Sequence, residues 1–142
     1  NIWYYKRNMR KQFPPVVLAV LIVALALIEA GALYWHLFFQ FWWLDIPMHF
    51  FGGLWIALFT LAWYYRARIP KSKDTSTLFV VALAVSSTLS IGLFWELFEL
   101  SAQTFIERAS VHDLTDTLAD LTNDLFGAVV AIGIFIRGRY NS

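Results

Sequence analysis

Three short groups of side chains in this sequence have the types and spacing for chemistry: Asp45 with His49, Glu96 with Glu99, and Asp116 with Asp120 and Asp124. A helix turns about 100° per residue, so Asp116, Asp120 and Asp124 stack on one face, with Asn123 on its flank. Asp45 and His49 are four apart and Glu96 and Glu99 three apart, and each pair therefore shares a helix face. Carboxylates with an imidazole are ligands for a divalent cation and can also act as general bases. The chain has no cysteine, which removes a disulfide, a thiolate metal site and a thiol nucleophile. Neither the His-Glu-x-x-His signature of zinc proteases nor the Glu-x-x-His pair of di-iron bundles is present, so Mg²⁺, Mn²⁺, Fe²⁺ and Zn²⁺ all stay open.

The elements that carry these residues are membrane spans. The chain has 142 residues, of which 59% are apolar and 18% aromatic, a composition that excludes a soluble domain. A hydrocarbon core about 30 Å thick needs roughly 20 helical residues. Four runs meet that length: 15–39, 47–65, 77–101 and 116–136. The first is too long for a cleavable signal peptide and reads as a retained helix. Lys6, Arg7, Arg10 and Lys11 precede the first run, Arg66, Arg68, Lys71 and Lys73 link the second to the third, and Arg137 and Arg139 follow the fourth. Only Arg108 falls on the other side, so the positive-inside rule places both termini in the cytoplasm. The expected fold is all-α: one domain, an integral-membrane antiparallel bundle of four helices.

This topology brings the starts of the second and fourth helices and the end of the third to one level, near the outer surface. Asp45, His49, Glu96, Glu99, Asp116 and Asp120 should then lie at similar depth, with Arg108 the only basic residue on that side. Ionisable groups at bilayer depth need partners, and insertion of one Asp at a helix centre costs about 2.5–3.5 kcal/mol. Clustered acids can take up protons, sit in a wet cleft or bind a cation.

Plainer readings apply to single residues. Asp45 before Pro47 suits a helix N-cap. Glu29, with His36 two turns on along the same face, suits either a protonated side chain hydrogen-bonded to a neighbouring helix or a first helix that also looks into the polar centre. Ser86, Ser87, Thr88 and Ser90 suit helix packing, and Gly52 and Gly53 suit a close helix approach. The aromatic and basic segment 1–13 suits an anchor in the headgroup layer.

In order along the chain, Asp-x3-His-x2-Gly (Asp45, His49, Gly52), Glu-x-x-Glu (Glu96, Glu99) and Asp-x3-Asp-x2-Asn-x3-Gly (Asp116, Asp120, Asn123, Gly127) resemble the VanZ-like and YjdF-like groups of small bacterial inner-membrane proteins. The resemblance covers roughly 45–127. Ile46 and Glu99 stand where VanZ-like proteins tend to carry Lys and Gln, which favours the YjdF-like side. The resemblance implies a multi-pass protein of the bacterial inner membrane, and its VanZ-like side implies a link to the cell envelope and glycopeptide tolerance.

The leading functional expectation is a divalent-metal enzyme acting at the outer leaflet on a lipid or lipid-linked phosphate. His49, Asp116, Asp120 and Glu96 are the expected ligands, Glu99 or Asp45 the general base, and Asn123 a residue that orients a ligand. A second expectation is a non-catalytic subunit of a larger membrane complex or a homo-oligomer, its many aromatics facing lipid and partners. A third is proton or cation translocation through Glu29 and Asp124. The basic residues are sorted by membrane side and form no nucleic-acid groove.

Overall fold

The computed structural model describes residues 14–67, 76–106 and 114–140. The expected headgroup anchor at 1–13 and the loop residues Arg68, Lys71, Lys73, Arg108, His112 and Asp113 lie outside them. Every regular element among the described residues is helical: α1 (Pro15–Tyr34), α2 (Leu37–Gln40), a 3-10 turn (Trp42–Leu44), α3 (Asp45–Ala67), α4 (Thr77–Ile106) and α5 (Leu114–Tyr140). Four stretches are long and apolar enough to cross a membrane: Pro15–Tyr34, Trp42–Arg66, Thr77–Ser101 and Leu114–Gly138. Large apolar side chains such as Val20, Leu27, Phe94 and Val129 are exposed on α1, α4 and α5, as lipid-facing surfaces require.

Two expectations about helix ends are corrected. The first span does not run to residue 39, because α1 stops at Tyr34 and His36 adopts a left-handed backbone, φ 55°. The amide of Trp35 donates to the Gly31 carbonyl and that of His36 to Leu33, which closes the last turn. Histidine is among the residues enriched in that conformation. Glu29 and His36 therefore do not share a helix face, and His36 is exposed at the surface. Asp45 is not an N-cap either. The 3-10 turn feeds straight into α3, leaving Asp45 in helical geometry, φ −65° and ψ −40°, as the first residue of the helix.

The bundle divides into two halves. Towards the end of α3, the start of α4 and the end of α5, an apolar core forms around Leu61, Tyr65, Val80, Ala131 and Phe135, all fully buried. The rings of Tyr65 and Phe135 meet at 5.1 Å. Side-chain hydroxyls on α4 serve their own helix, Ser87 donating to the Ala84 carbonyl at 2.9 Å and Ser101 to that of Leu97 at 2.7 Å. Thr88 is fully buried, and its hydroxyl has no hydrogen-bond partner among the described residues. The other half carries the acidic groups.

The closest helix contact is between α3 and α5. A Cβ on Gly53 would collide with the backbone of Asp124, and one on Gly127 with the backbone of Phe50 and Leu54. Glycine at both positions lets the two backbones touch. Gly127→Ala is expected to destabilise the protein by about 1–3 kcal/mol through overpacking. Gly133→Ala, on the same helix with nothing within 4 Å, should change stability by less than about 1 kcal/mol. Thermal unfolding in detergent followed by circular dichroism compares the two.

Candidate functional site

His49 projects from the second turn of α3 into the space between α4 and α5, where it is only 6% exposed. Its Nε2 lies 3.6 Å from Asp45 Oδ1 on its own helix, 3.7 Å from Glu96 Oε1 on α4 and 3.9 Å from Asp120 Oδ1 on α5. On the other edge of the ring, Nδ1 lies 3.5 Å from Asp124 Oδ1. One imidazole thus meets four carboxylates from three helices. Since His49 lies near the start of α3, Glu96 in the second half of α4 and Asp120 near the start of α5, the same contacts make neighbouring spans antiparallel.

Helical periodicity explains how α5 delivers two of these groups. Asp120 and Asp124 are one turn apart on one face and reach opposite edges of the same ring. Asp124 is held more tightly. Its Oδ2 packs against Gly92 of α4, where any Cβ would clash with it, and has no hydrogen-bond partner among the described residues. Gly53 receives its backbone from the other side.

Donor atoms of Asp45, His49 and Asp120 all lie within 4.8 Å of one another, and those of His49, Glu96 and Glu99 do the same. The separations from Nε2, 3.6–3.9 Å, are slightly wider than the edge of about 3.0–3.4 Å expected between ligands on bonds of about 2.1 Å. Small side-chain rotations would close that gap. Arg66 is seventeen residues along α3 from His49, about 25 Å at 1.5 Å per residue, and Arg137 is as distant from Asp120 along α5. At a separation near 4 Å, two carboxylates repel by about 4 kcal/mol at an effective dielectric of 20. The cluster therefore has the chemistry to take a cation or protons.

Six of the seven residues singled out from the sequence converge or sit beside the cluster. Asp45, His49, Glu96, Glu99 and Asp120 form the two ligand-spaced groups, and Asn123 is half-buried next to Asp124. Asp116 falls outside both groups, exposed in the first turn of α5, where a carboxylate favours the helix dipole. Two contributors to the site were not in that set. Asp124 takes Nδ1, as its place one turn below Asp120 already signalled. Glu29 on α1 is near enough to Asp45 and His49 to interact with both, and it lines the same cavity as Asp45, His49 and Asp124. Of the two readings open for Glu29 in the sequence, this is the one in which the first helix looks into the polar centre.

Four apolar spans around a buried acidic cluster define a polytopic membrane protein. The chain belongs to a family of predicted membrane proteins, DUF2238, whose model matches residues 2–140. No curated protein and no solved structure matches it.

If the ring contacts are energetically real, His49→Ala and Asp124→Asn should not be additive. A double-mutant cycle on unfolding free energy is expected to give a coupling of about 0.5–3 kcal/mol. The same cycle with Asp116→Asn in place of Asp124→Asn should give a smaller value.

Proposed function

We propose that the chain is a membrane enzyme which binds a divalent cation between α3, α4 and α5 and hydrolyses or transfers a phosphate ester of a lipid or lipid-linked substrate at the outer leaflet of the bacterial inner membrane. The observation that carries this reading is the convergence on one buried imidazole nitrogen of carboxylates from three helices. His49, Asp120 and Glu96 would bind the cation, with Asp45 or Glu99 completing the set. Asp116, one turn above Asp120, would bind only through water or on approach of substrate.

A bound divalent cation offsets the mutual repulsion of the acids, lowers the pKa of water and neutralises phosphate. Whichever of Glu99 and Asp45 is not a ligand would take the proton of the attacking water. The water oxygen bonds to phosphorus, the ester P–O bond breaks, and the leaving oxygen takes the proton back from that carboxylic acid. His49 would be held in one tautomer by Asp124 at Nδ1, which leaves Nε2 free to ligate. Asn123 would help to orient that carboxylate. The cytoplasmic placement of both termini, from the sorting of basic residues, puts this chemistry on the outer face, in keeping with the VanZ-like resemblance and its link to the cell envelope.

Translocation is less well supported. Beyond Asp124, α5 carries no ionisable side chain until Arg137, and the intervening half of the bundle is filled by Tyr65, Phe135 and the alanines around them. A proton or ion leaving the cluster would meet this apolar plug.

Protein purified in detergent and equilibrated in turn with Mg²⁺, Mn²⁺, Fe²⁺ and Zn²⁺ should retain about one ion of at least one of them per chain by elemental mass spectrometry. His49→Ala and Asp120→Asn should lower that content at least tenfold, and Asp116→Asn should lower it less. Phosphate release from liposomes containing phosphatidic acid or prenyl phosphates should stop with chelator and fall at least 100-fold in His49→Ala. Absence of bound ion from the unaltered protein under all four conditions would rule out the metal reading.

A further inference from the structure

Beside the acidic cluster is a cavity of about 260 Å³ between α1, α3 and α4. One side of it is polar and the rest apolar. Glu29, Asp45, His49 and Asp124 form one polar side, whereas Leu25, Ala26, Met48, Trp55, Ile91 and Trp95 supply apolar walls. Trp55 adds no polarity, because its indole N–H donates to the Leu18 carbonyl at 2.7 Å and its ring stacks on Phe59. Gly52 keeps the space open, since a Cβ there would have Asp124 Oδ1 at 4.0 Å as its nearest neighbour.

We infer that this slot holds one hydrocarbon tail of a bilayer lipid and thereby presents the lipid's polar end to His49 and the carboxylates around it. The lining of α3 runs from Asp45 to Ile56, which is about 16 Å at 1.5 Å per residue. Half of a hydrocarbon core about 30 Å thick is about 15 Å, so the slot is as deep as one leaflet. Among the described residues it is also open sideways. α1 packs chiefly on α3, and α4 on α3 and α5, so α1 and α4 leave a gap between them. Ile91 and Trp95 on the edge of that gap are 48% and 40% exposed. The volume falls below the roughly 300–1,000 Å³ of pockets that take a whole drug-sized ligand. A helix, about 10–12 Å across with its side chains, is too wide for it. Water has few partners along the apolar walls. A single alkyl or prenyl chain meets all of these conditions, and the polar groups at the side then face whatever the chain carries.

The inference rests on the proposed enzyme reading only for what happens to the polar end; the seating of the tail stands on the cavity. The test uses the full chain in lipid nanodiscs containing phosphatidylglycerol with a diazirine midway along one tail, followed by irradiation and peptide mass spectrometry. Labelling of Met48, Ile91 and Trp95 should exceed that of Phe126 and Val129, which face outwards elsewhere, at least fivefold. Ala26→Trp should cut slot labelling at least fivefold and leave Phe126 and Val129 unchanged, and Ile91→Trp, filling the slot from α4, should do the same at Met48 and Trp95. Even labelling across all these positions, slot labelling that neither variant reduces, or crosslinks joining two copies through the slot would overturn the proposal. Metal content of the same samples keeps the two ideas apart. Asp120→Asn, outside the slot's lining, should lose the cation yet keep its tail labelling, so enriched labelling without any bound ion defeats the metal reading alone. Bound ion with even labelling defeats the slot alone.

Discussion

The arrangement depends on backbone contact between α3 and α5. Gly53 meets the backbone of Asp124, and Gly127 meets the backbone of Phe50 and Leu54, so each helix supplies a glycine to the other at neighbouring levels. Helices with side chains at these positions would be pushed apart, towards the usual separations of 8–10 Å or beyond. His49 is one turn before Gly53, and Asp120 and Asp124 are on the α5 face that this contact turns towards it. Moving α5 outwards by about 2 Å would take Asp120 from Nε2 and Asp124 from Nδ1, leaving Asp45 and Glu96 beside the ring. A packing constraint among small residues thus determines whether α5 contributes to the polar cluster.

The same constraint accounts for the division of the bundle into an apolar half and an acidic half. In hydrocarbon there is little hydrophobic drive to bring helices together, so close packing and polar contacts between helices must do it. The apolar half uses alanines at 57, 62, 84, 128 and 131 to let helices approach, with Tyr65 and Phe135 filling the remaining space. The acidic half opposes that packing, because the carboxylates of Asp45, Glu96, Asp120 and Asp124 repel across one ring. Removal of buried charges of this kind is often neutral or stabilising when apolar groups of similar volume replace them. Stability alone therefore gives little reason for their presence.

Much of this was legible in the sequence, for identifiable reasons. Four apolar runs are a coarse, length-based signal, and the bundle followed from them. The i, i+4, i+8 row on α5 and the pairs Asp45/His49 and Glu96/Glu99 are local periodicities, which survive folding because a helix preserves them. Once neighbouring spans alternate in direction, their depths coincide without further information. What escaped was set by tertiary geometry. Asp45 looked like an N-cap because Asp before a proline-containing first turn usually is one, but the 3-10 turn Trp42–Leu44 carries the helix back past it. The break at His36 depends on a single left-handed residue with no glycine to announce it. Gly92 shares a face with Glu96, yet its purpose appears only when Asp124 Oδ2 is found against it. Asp116 has the right spacing but lies one turn too far towards the helix end, so periodicity alone overextended the ligand row.

The position of α1 decides what kind of site this is. Had α1 packed against both α3 and α4, Glu29 would be one more buried acid and the cluster would be sealed from the bilayer. Instead α1 is fastened to α3, in part through the Trp55 indole on the Leu18 carbonyl, and stands off from α4. The Glu29 carboxyl on α1 then lies on the same polar side of the gap as His49. Removing water from such a gap strengthens every electrostatic interaction in it. A neutral lipid tail lying there would do that, shielding the acids from solvent just as its own charged end arrives. Burial of the acids on α3, α4 and α5, and an opening beside α1, are both needed for an amphiphile to reach a charged centre without first leaving the membrane.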